Sequence, residues 1–166
     1  AAGCAAGCAA CCAAREVRSS IGCRQKISDL EALTQDHKGT LYFLCSQSLS
    51  KKGKRPKKRQ CLLRVQRREH DLKVTGHVAL FDVLKSRIPA SKLKEIGWAD
   101  TLDIEGMTWW KNGLLFGLKT PLEGDQKAKL WHLTQVDALF ADGAAPQDMQ
   151  LTEVGAFHLP TGPVQN

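Results

Sequence analysis

An internal repeat is the feature that most constrains the fold of this chain. Residues 29–46 read D-L-E-A-L-T-Q-D-H-K-G-T-L-Y-F-L-C-S, and residues 103–120, lying 74 positions later, read D-I-E-G-M-T-W-W-K-N-G-L-L-F-G-L-K-T. Aligned without a gap, the windows share Asp, Glu, Thr, Gly and two Leu residues. A sequence repeat is one supersecondary unit used more than once, so both copies are expected to form the same structure.

Each copy has the pattern of a β-hairpin. Asn112-Gly113 between two apolar runs is a strong signal for a tight turn, and Lys38-Gly39 stands near the matching place. The limbs after the turns, residues 40–45 and 114–118, are nearly continuous apolar runs, which is typical of strands covered on both faces. Stacked blades have this property. We therefore predict an all-β, partial β-propeller-like fold, with about two blades of antiparallel strands and short helical insertions.

The remaining segments complete this prediction. Further strands are expected at 60–65, 72–80, 130–133 and 151–159, a short helix at 91–96 and a helical turn at 136–140. The propeller-like region is predicted to span 23–159, with repeat copies at about 27–80 and 101–159 and a tail at 160–166. The chain lacks an initiator Met and is expected to be a fragment.

The start of the chain is compositionally biased. Residues 1–14 contain only Ala, Gly and Cys, so residues 1–22 are expected to be a disordered low-complexity lead and linker. Two alternatives stay open: a lipoprotein remnant ending at Cys4, and a metal site formed by Cys4, Cys8 and Cys11. Of the other cysteines, Cys45 and Cys61 fall inside strand patterns and are expected to be buried free thiols. The cysteine count leaves cytoplasm and periplasm both open.

The positive charge is confined to one loop. The formal net charge is +7, and residues 51–59 alone contain seven basic residues and no acid. A polyanion site is therefore one hypothesis, and a solvated loop is the alternative. Sequence-specific nucleic-acid binding is not expected, because no aromatic residues interleave. No apolar run of 18 residues is present, so no membrane span is expected. The polyanion-binding candidates are Lys51, Lys52, Lys54, Arg55, Lys57, Lys58 and Arg59.

Four carboxylates at the strand starts are the best candidates for a chemical site: Asp29, Glu31, Asp103 and Glu105. If the blades bring them together, they suit a hard cation such as calcium, which would polarise a phosphate or ester. The alternative is a structural role, with the acids bonded to backbone amides. No G-x-S-x-G motif supports a serine nucleophile.

Four tryptophans cluster around the second copy, at positions 98, 109, 110 and 131. Blade packing is their first interpretation. The alternative is an aromatic wall for a sugar or another small-molecule ligand with a ring.

The motifs Asp29-Leu30-Glu31-Ala32, Ser46-Gln47-Ser48-Leu49 and Asp103-Ile104-Glu105-Gly106 resemble those of a bacterial family catalogued as domain of unknown function 3616. The resemblance covers roughly residues 28–159. It implies a propeller-like fold similar to the phytase-like esterase group. From it we expect an uncharacterised domain with cation-assisted phosphoester or ester hydrolysis. The alternative is a non-catalytic platform that binds a protein, sugar or polyanion.

Overall fold

The computed structural model describes residues 27–69, 71–122, 127–141 and 149–158; the Ala/Gly/Cys lead and the tail lie outside them. The strands of the described ranges are β1 (Leu30–Gln35), β2 (Leu41–Cys45), β3 (Cys61–Arg67), β4 (Leu72–Ala79), β5 (Asp103–Trp110), β6 (Gly113–Thr120), β7 (Lys127–Thr134) and β8 (Gln150–His158). The helices are α1 (Leu80–Arg87) and α2 (Ala90–Glu95), with 3₁₀ turns at Lys57–Arg59 and Val136–Phe140.

The all-β prediction is confirmed. The strands form two four-stranded antiparallel sheets, ordered β1-β2-β3-β4 and β5-β6-β7-β8. Both repeat windows form the hairpins that open these sheets. Helix α1 was not predicted, although Leu80 and Leu84 are both fully buried one helical turn apart. The strand predicted at 72–80 therefore ends at Ala79.

The two hairpins differ by one residue in their turns. In the first, a 2.9 Å hydrogen bond from the Asp36 N–H to the Thr40 carbonyl oxygen closes a turn of three residues, 37–39. In the second, only Lys111 and Asn112 separate the strands, and both have positive φ, 44° and 61°. Positive φ at both positions is what a two-residue type I′ turn requires.

This difference corrects the gap-free alignment after the turn. Leu33 pairs with Phe43, whereas Met107 pairs with Phe116. Phe116 is therefore equivalent to Phe43 and not, as the sequence suggests, to Tyr42. Neighbouring residues of a strand point to opposite faces of the sheet. Tyr42 and Phe116 therefore lie on opposite faces of their respective sheets, and not on the same face as the gap-free alignment implies.

The two sheets pack with unlike faces together. We call the face that bears Tyr42 the front, and the face that bears Phe43 or its equivalent Phe116 the back. The back of the second sheet, with Phe116 and Trp131, packs in one core cluster with Tyr42 and Leu44 of the front of the first. Leu80 and Leu84 of α1, Leu93 of α2 and Ile96, which follows α2 directly, complete this cluster. Phe43 belongs to a second cluster on the back of the first sheet.

Strands β1 and β5 run next to each other at the junction of the sheets. The Ile104 N–H donates to the Ser46 carbonyl oxygen at 2.8 Å, and the Trp109 N–H donates to Thr34 Oγ1 at 2.8 Å. The starts of the two repeats therefore meet at one end of the junction and their turns at the other. Within the described ranges, no helix has both the length and the apolar character needed to cross a membrane.

Candidate functional site

Glu31 and Glu105 occupy equivalent β-bulges. In each first strand the pairing register skips one position, and the skipped residue is the glutamate. A bulge leaves its extra residue outside the ladder and redirects its side chain. The Glu31 and Glu105 side chains consequently lie near each other, and Glu105, Asp29 and Asp103 are all close enough to Glu31 to perturb it. The structure thus brings together all four carboxylates that the sequence singled out.

Within this acidic cluster, the pKa values of two carboxyl groups, Glu31 and Asp103, are raised. Burial, followed by the negative charges of Glu105, Asp29 and Asp103, raises the pKa of Glu31 to about 7. Burial and the charge of Glu105 also raise the pKa of Asp103. Both shifts follow from the cost of holding several negative charges together in a partly desolvated place.

Basic side chains supply part of the missing counter-charge. Lys119 Nζ lies 2.8 Å from Glu105 Oε1 and 3.9 Å from Asp103 Oδ2. Arg59 Nε lies 3.3 Å from Asp29 Oδ2. Among the described residues, no group of three or more His, Cys, Asp or Glu side chains is arranged to hold a metal ion. Calcium binding and cation-assisted hydrolysis remain predictions.

Asp29 belongs to a local hydroxyl network. Its carboxylate accepts hydrogen bonds from Ser46 Oγ at 2.8 Å and Ser48 Oγ at 3.3 Å. Its backbone has a φ of 62°, a conformation that Asp tolerates better than most residues. Arg59 Nη1 donates to Ser48 Oγ at 2.9 Å, so Ser48 also lies in this network. The side chains around Asp29 therefore fix the path of the chain into β1.

The basic loop is anchored by its two arginines. Arg55 lies 3.7 Å over the Phe81 ring and donates to the Leu102 carbonyl oxygen at 3.1 Å. Burial lowers the pKa of Arg55. Arg59 forms an ion pair with Asp29. The five lysines Lys51, Lys52, Lys54, Lys57 and Lys58 are exposed. The structure thus separates two structural arginines from five solvent-facing lysines.

A cavity of about 640 Å³ lies between the sheets, at the turn end of the β1–β5 junction. Its walls come from both repeats and from the second 3₁₀ turn. They include Asp36, His37, Lys38, Thr40, Tyr42, Arg64, Gln66, Thr75, Trp109, Asn112, Gln135 and Asp137. Its volume is in the usual range of small-molecule sites.

A stacked aromatic pair forms one side of this cavity. The rings of Tyr42 and Trp109 lie 5.6 Å apart at an interplanar angle of 14°, and His37 lies 6.1 Å from Trp109. Tyr42 Oη donates to Asp36 Oδ2 at 3.4 Å. Burial, with the charge of Asp36, raises the pKa of Tyr42 to about 12, so its hydroxyl keeps its proton as a hydrogen-bond donor.

Polar side chains on the other side are held in defined positions. Arg64 Nη1 lies 2.9 Å from Asp137 Oδ1, and the guanidinium lies 4.7 Å over the Phe140 ring. Phe140 approaches so closely that a Cβ atom on Gly76 would meet its ring at 2.5 Å. Arg64 therefore presents a fixed set of donors beside the exposed carboxylate of Asp137.

Sequence reasoning singled out Trp109 as a member of an aromatic wall, but it did not find the cavity. The missing partners, Tyr42, Arg64 and Asp137, lie far apart in sequence. The one-residue longer turn places Tyr42 on the front face, and no local pattern shows that this face meets Trp109. The sequence carried no usable signal for the difference in turn length, because the two windows align without a gap through both turns.

Comparisons with protein-family models, curated proteins and solved structures find no match to this chain. The resemblance to the uncharacterised bacterial family stays an expectation.

Proposed function

We propose that this chain is a non-catalytic binding domain that takes a small hydroxylated ring compound, a saccharide, in the cavity between its sheets. The observation that carries the proposal is the stacked Tyr42–Trp109 pair in the wall of a 640 Å³ cavity. Aromatic rings with polar groups opposite them suit a ligand that has an apolar face and a hydroxylated rim.

The polar groups supply both kinds of hydrogen-bond partner that hydroxyl groups need. Arg64 offers donors, while Asp137 and Gln135 offer acceptor oxygens along the cavity wall. The charges of the lining are balanced, with Asp36 and Asp137 against Lys38 and Arg64. A neutral, hydroxyl-rich compound fits this balance better than a strongly charged one does.

The propeller-like arrangement is part of the proposal. In a propeller, the back of each blade rests on the front of its neighbour, and the unlike-face packing of these two sheets supports that relation. Leu33 is 46% exposed, whereas its equivalent Met107, which faces the first sheet, is 9% exposed. Met107 is covered by the neighbouring sheet, whereas Leu33 lies on the edge strand β1; the centre of the same face, with Phe43, is buried in the second core cluster.

The test is binding of neutral hexoses and their disaccharides, measured by saturation-transfer NMR and calorimetry. We expect one saturable site, which Trp109→Ala weakens by at least about tenfold, or ~1.4 kcal/mol. Trp110→Ala is the matched control, because Trp110 contacts His132 at 4.9 Å and does not line the cavity. Absence of binding throughout the panel, or equal loss in both variants, would contradict the proposal.

A further inference from the structure

Two cysteines lie opposite each other at the base of the loop 46–60, which carries the basic residues 51–59. Cys45 is the last residue of β2 and Cys61 is the first residue of β3, so the loop 46–60 leaves the sheet between them. Leu44 pairs with Leu62, and the Gln47 N–H donates to the Arg59 carbonyl oxygen at 2.9 Å. The same register places Cys45 directly opposite Cys61.

The position suits a cross-strand disulfide. Residues directly opposite in a hydrogen-bonded antiparallel pair have Cα atoms ~5.5 Å apart, within the ~4.4–6.8 Å that a disulfide spans. The thiols are reduced, and the Cys45 thiol lies close enough to Cys61 to perturb its pKa. Formation of the bond therefore needs little displacement of the backbone.

His77 lies beside Cys61 and makes the two thiols differ in acidity. Its Nε2 atom lies 3.2 Å from Cys61 Sγ. Hydrogen bonds from Cys45 and then His77, together with the charge of His77, lower the pKa of Cys61 to about 6 against the effect of burial. The hydrogen bond to Cys61 and burial raise the pKa of Cys45. The titratable groups that face Cys61 are Cys45 from β2 and His77 from β4.

We propose that Cys45, Cys61 and His77 form a peroxide-sensitive redox site, in which Cys61 is the attacking thiolate and Cys45 the resolving thiol. The Cys61 thiolate attacks one oxygen of hydrogen peroxide, the O–O bond breaks, and hydroxide leaves and is protonated to water. Cys61 is then a sulfenic acid. The Cys45 thiol attacks that sulfur and releases a second water, so two thiols and one peroxide give one disulfide and two waters.

The burial of the site selects the oxidant. Cys45 and Cys61 are only 1% and 2% exposed. Hydrogen peroxide is little larger than water, whereas bulky disulfides cannot approach either sulfur in this packing. The oxidised form closes the base of the basic loop with a covalent bond, which restricts the conformations of the segment carrying the five exposed lysines.

The experiment treats the folded 166-residue chain with hydrogen peroxide, blocks free thiols under denaturing acid conditions, and maps disulfides after trypsin digestion. We expect peptide 39–51 linked to peptide 60–64. Cys45→Ser should instead leave a Cys61 sulfenic acid, trapped by dimedone during a denaturing quench. Links mainly to other cysteines, or no link between these two peptides, would overturn the proposal.

A second measurement tests whether His77 acts on the Cys61 thiol as a positioning residue. His77→Gln should slow oxidation of Cys61 at pH 7 at least about fivefold and move the pH midpoint of that rate upward, towards an ordinary thiol. His132→Gln is the matched control, because His132 bonds the Trp110 carbonyl oxygen and touches neither thiol. Circular dichroism checks the fold of both variants. An unchanged midpoint in His77→Gln refutes the assigned role.

Discussion

Glu31 and Glu105 are the extra residues of two equivalent β-bulges, and they lie close enough across the junction of the two sheets for the charge of Glu105 to raise the pKa of Glu31. A proton on Glu31 relieves the repulsion between the two side chains, and its loss restores that repulsion. The junction therefore responds to pH through a pair of residues that the repeat itself creates.

Stability should fall as the pH rises through neutrality. The pKa of Glu31 is raised from 4.5 to about 7 in the folded chain, so the folded state binds more protons between these values. The stabilising contribution is complete below about pH 4.5 and lost as the pH passes 7. Thermal unfolding at pH 5 and pH 8 should show a smaller difference for Glu31→Gln than for wild type. Glu95→Gln, in an exposed pair with Lys92, should retain the wild-type difference.

Lys119 should act as the counter-ion of the acidic cluster. Removing its charge with Lys119→Met leaves Glu105 and Asp103 without their basic neighbour, so the melting temperature should drop at pH 8, where the negative charges of the cluster repel each other most. Because basic side chains already occupy the cluster, millimolar calcium should leave the wild-type melting temperature unmoved. A calcium-dependent rise would favour the cation-assisted hydrolase expectation.

The exposed lysines and the anchoring arginines of the basic loop should behave differently. Replacing Lys51, Lys52 and Lys54 with Ala should reduce retention on heparin and weaken its salt dependence without altering the melting temperature. Arg59→Ala should instead lower the melting temperature, since it removes the partner of Asp29. Unchanged heparin retention in the lysine variant would show that these lysines are solvated and do not bind the polyanion.

Gly76 should resist substitution. A Cβ atom there would meet the Phe140 ring at 2.5 Å, so Gly76→Ala should destabilise the fold by about 1–3 kcal/mol and disturb the Arg64 side of the cavity. Gly155→Ala is the matched control in the second sheet, where no atom lies within 4 Å of the added methyl group. Denaturant unfolding of both variants provides the comparison; equal stability would show that Phe140 moves freely.

The sequence predicted the two hairpins and the eight strand positions because periodic apolar runs and turn residues are local signals. It also predicted that Glu31 and Glu105 hold equivalent places. It did not predict the bulges, since a bulge depends on how one strand pairs with the next and leaves no fixed residue pattern. Alternation alone would have left each glutamate inside the ladder.

Helix α1 and the cavity were missed for related reasons. Leu80, Phe81 and Leu84 continue the apolar character of β4, so the change of period at Ala79 is hidden within one short run. The cavity depends on which faces of the sheets meet, and that depends on a single residue in the first turn. Such long-range consequences of a one-residue difference are outside the reach of pattern reasoning.

The packing of unlike faces has a consequence for how such a chain can grow. A surface that packs against its own copy must be complementary to itself, whereas here the back of one unit is complementary to the front of another. A duplicated segment would therefore arrive with an interface already fitted to its parent. Packing of this kind suits growth by tandem duplication, because each copy can offer its back to the front of the copy before it.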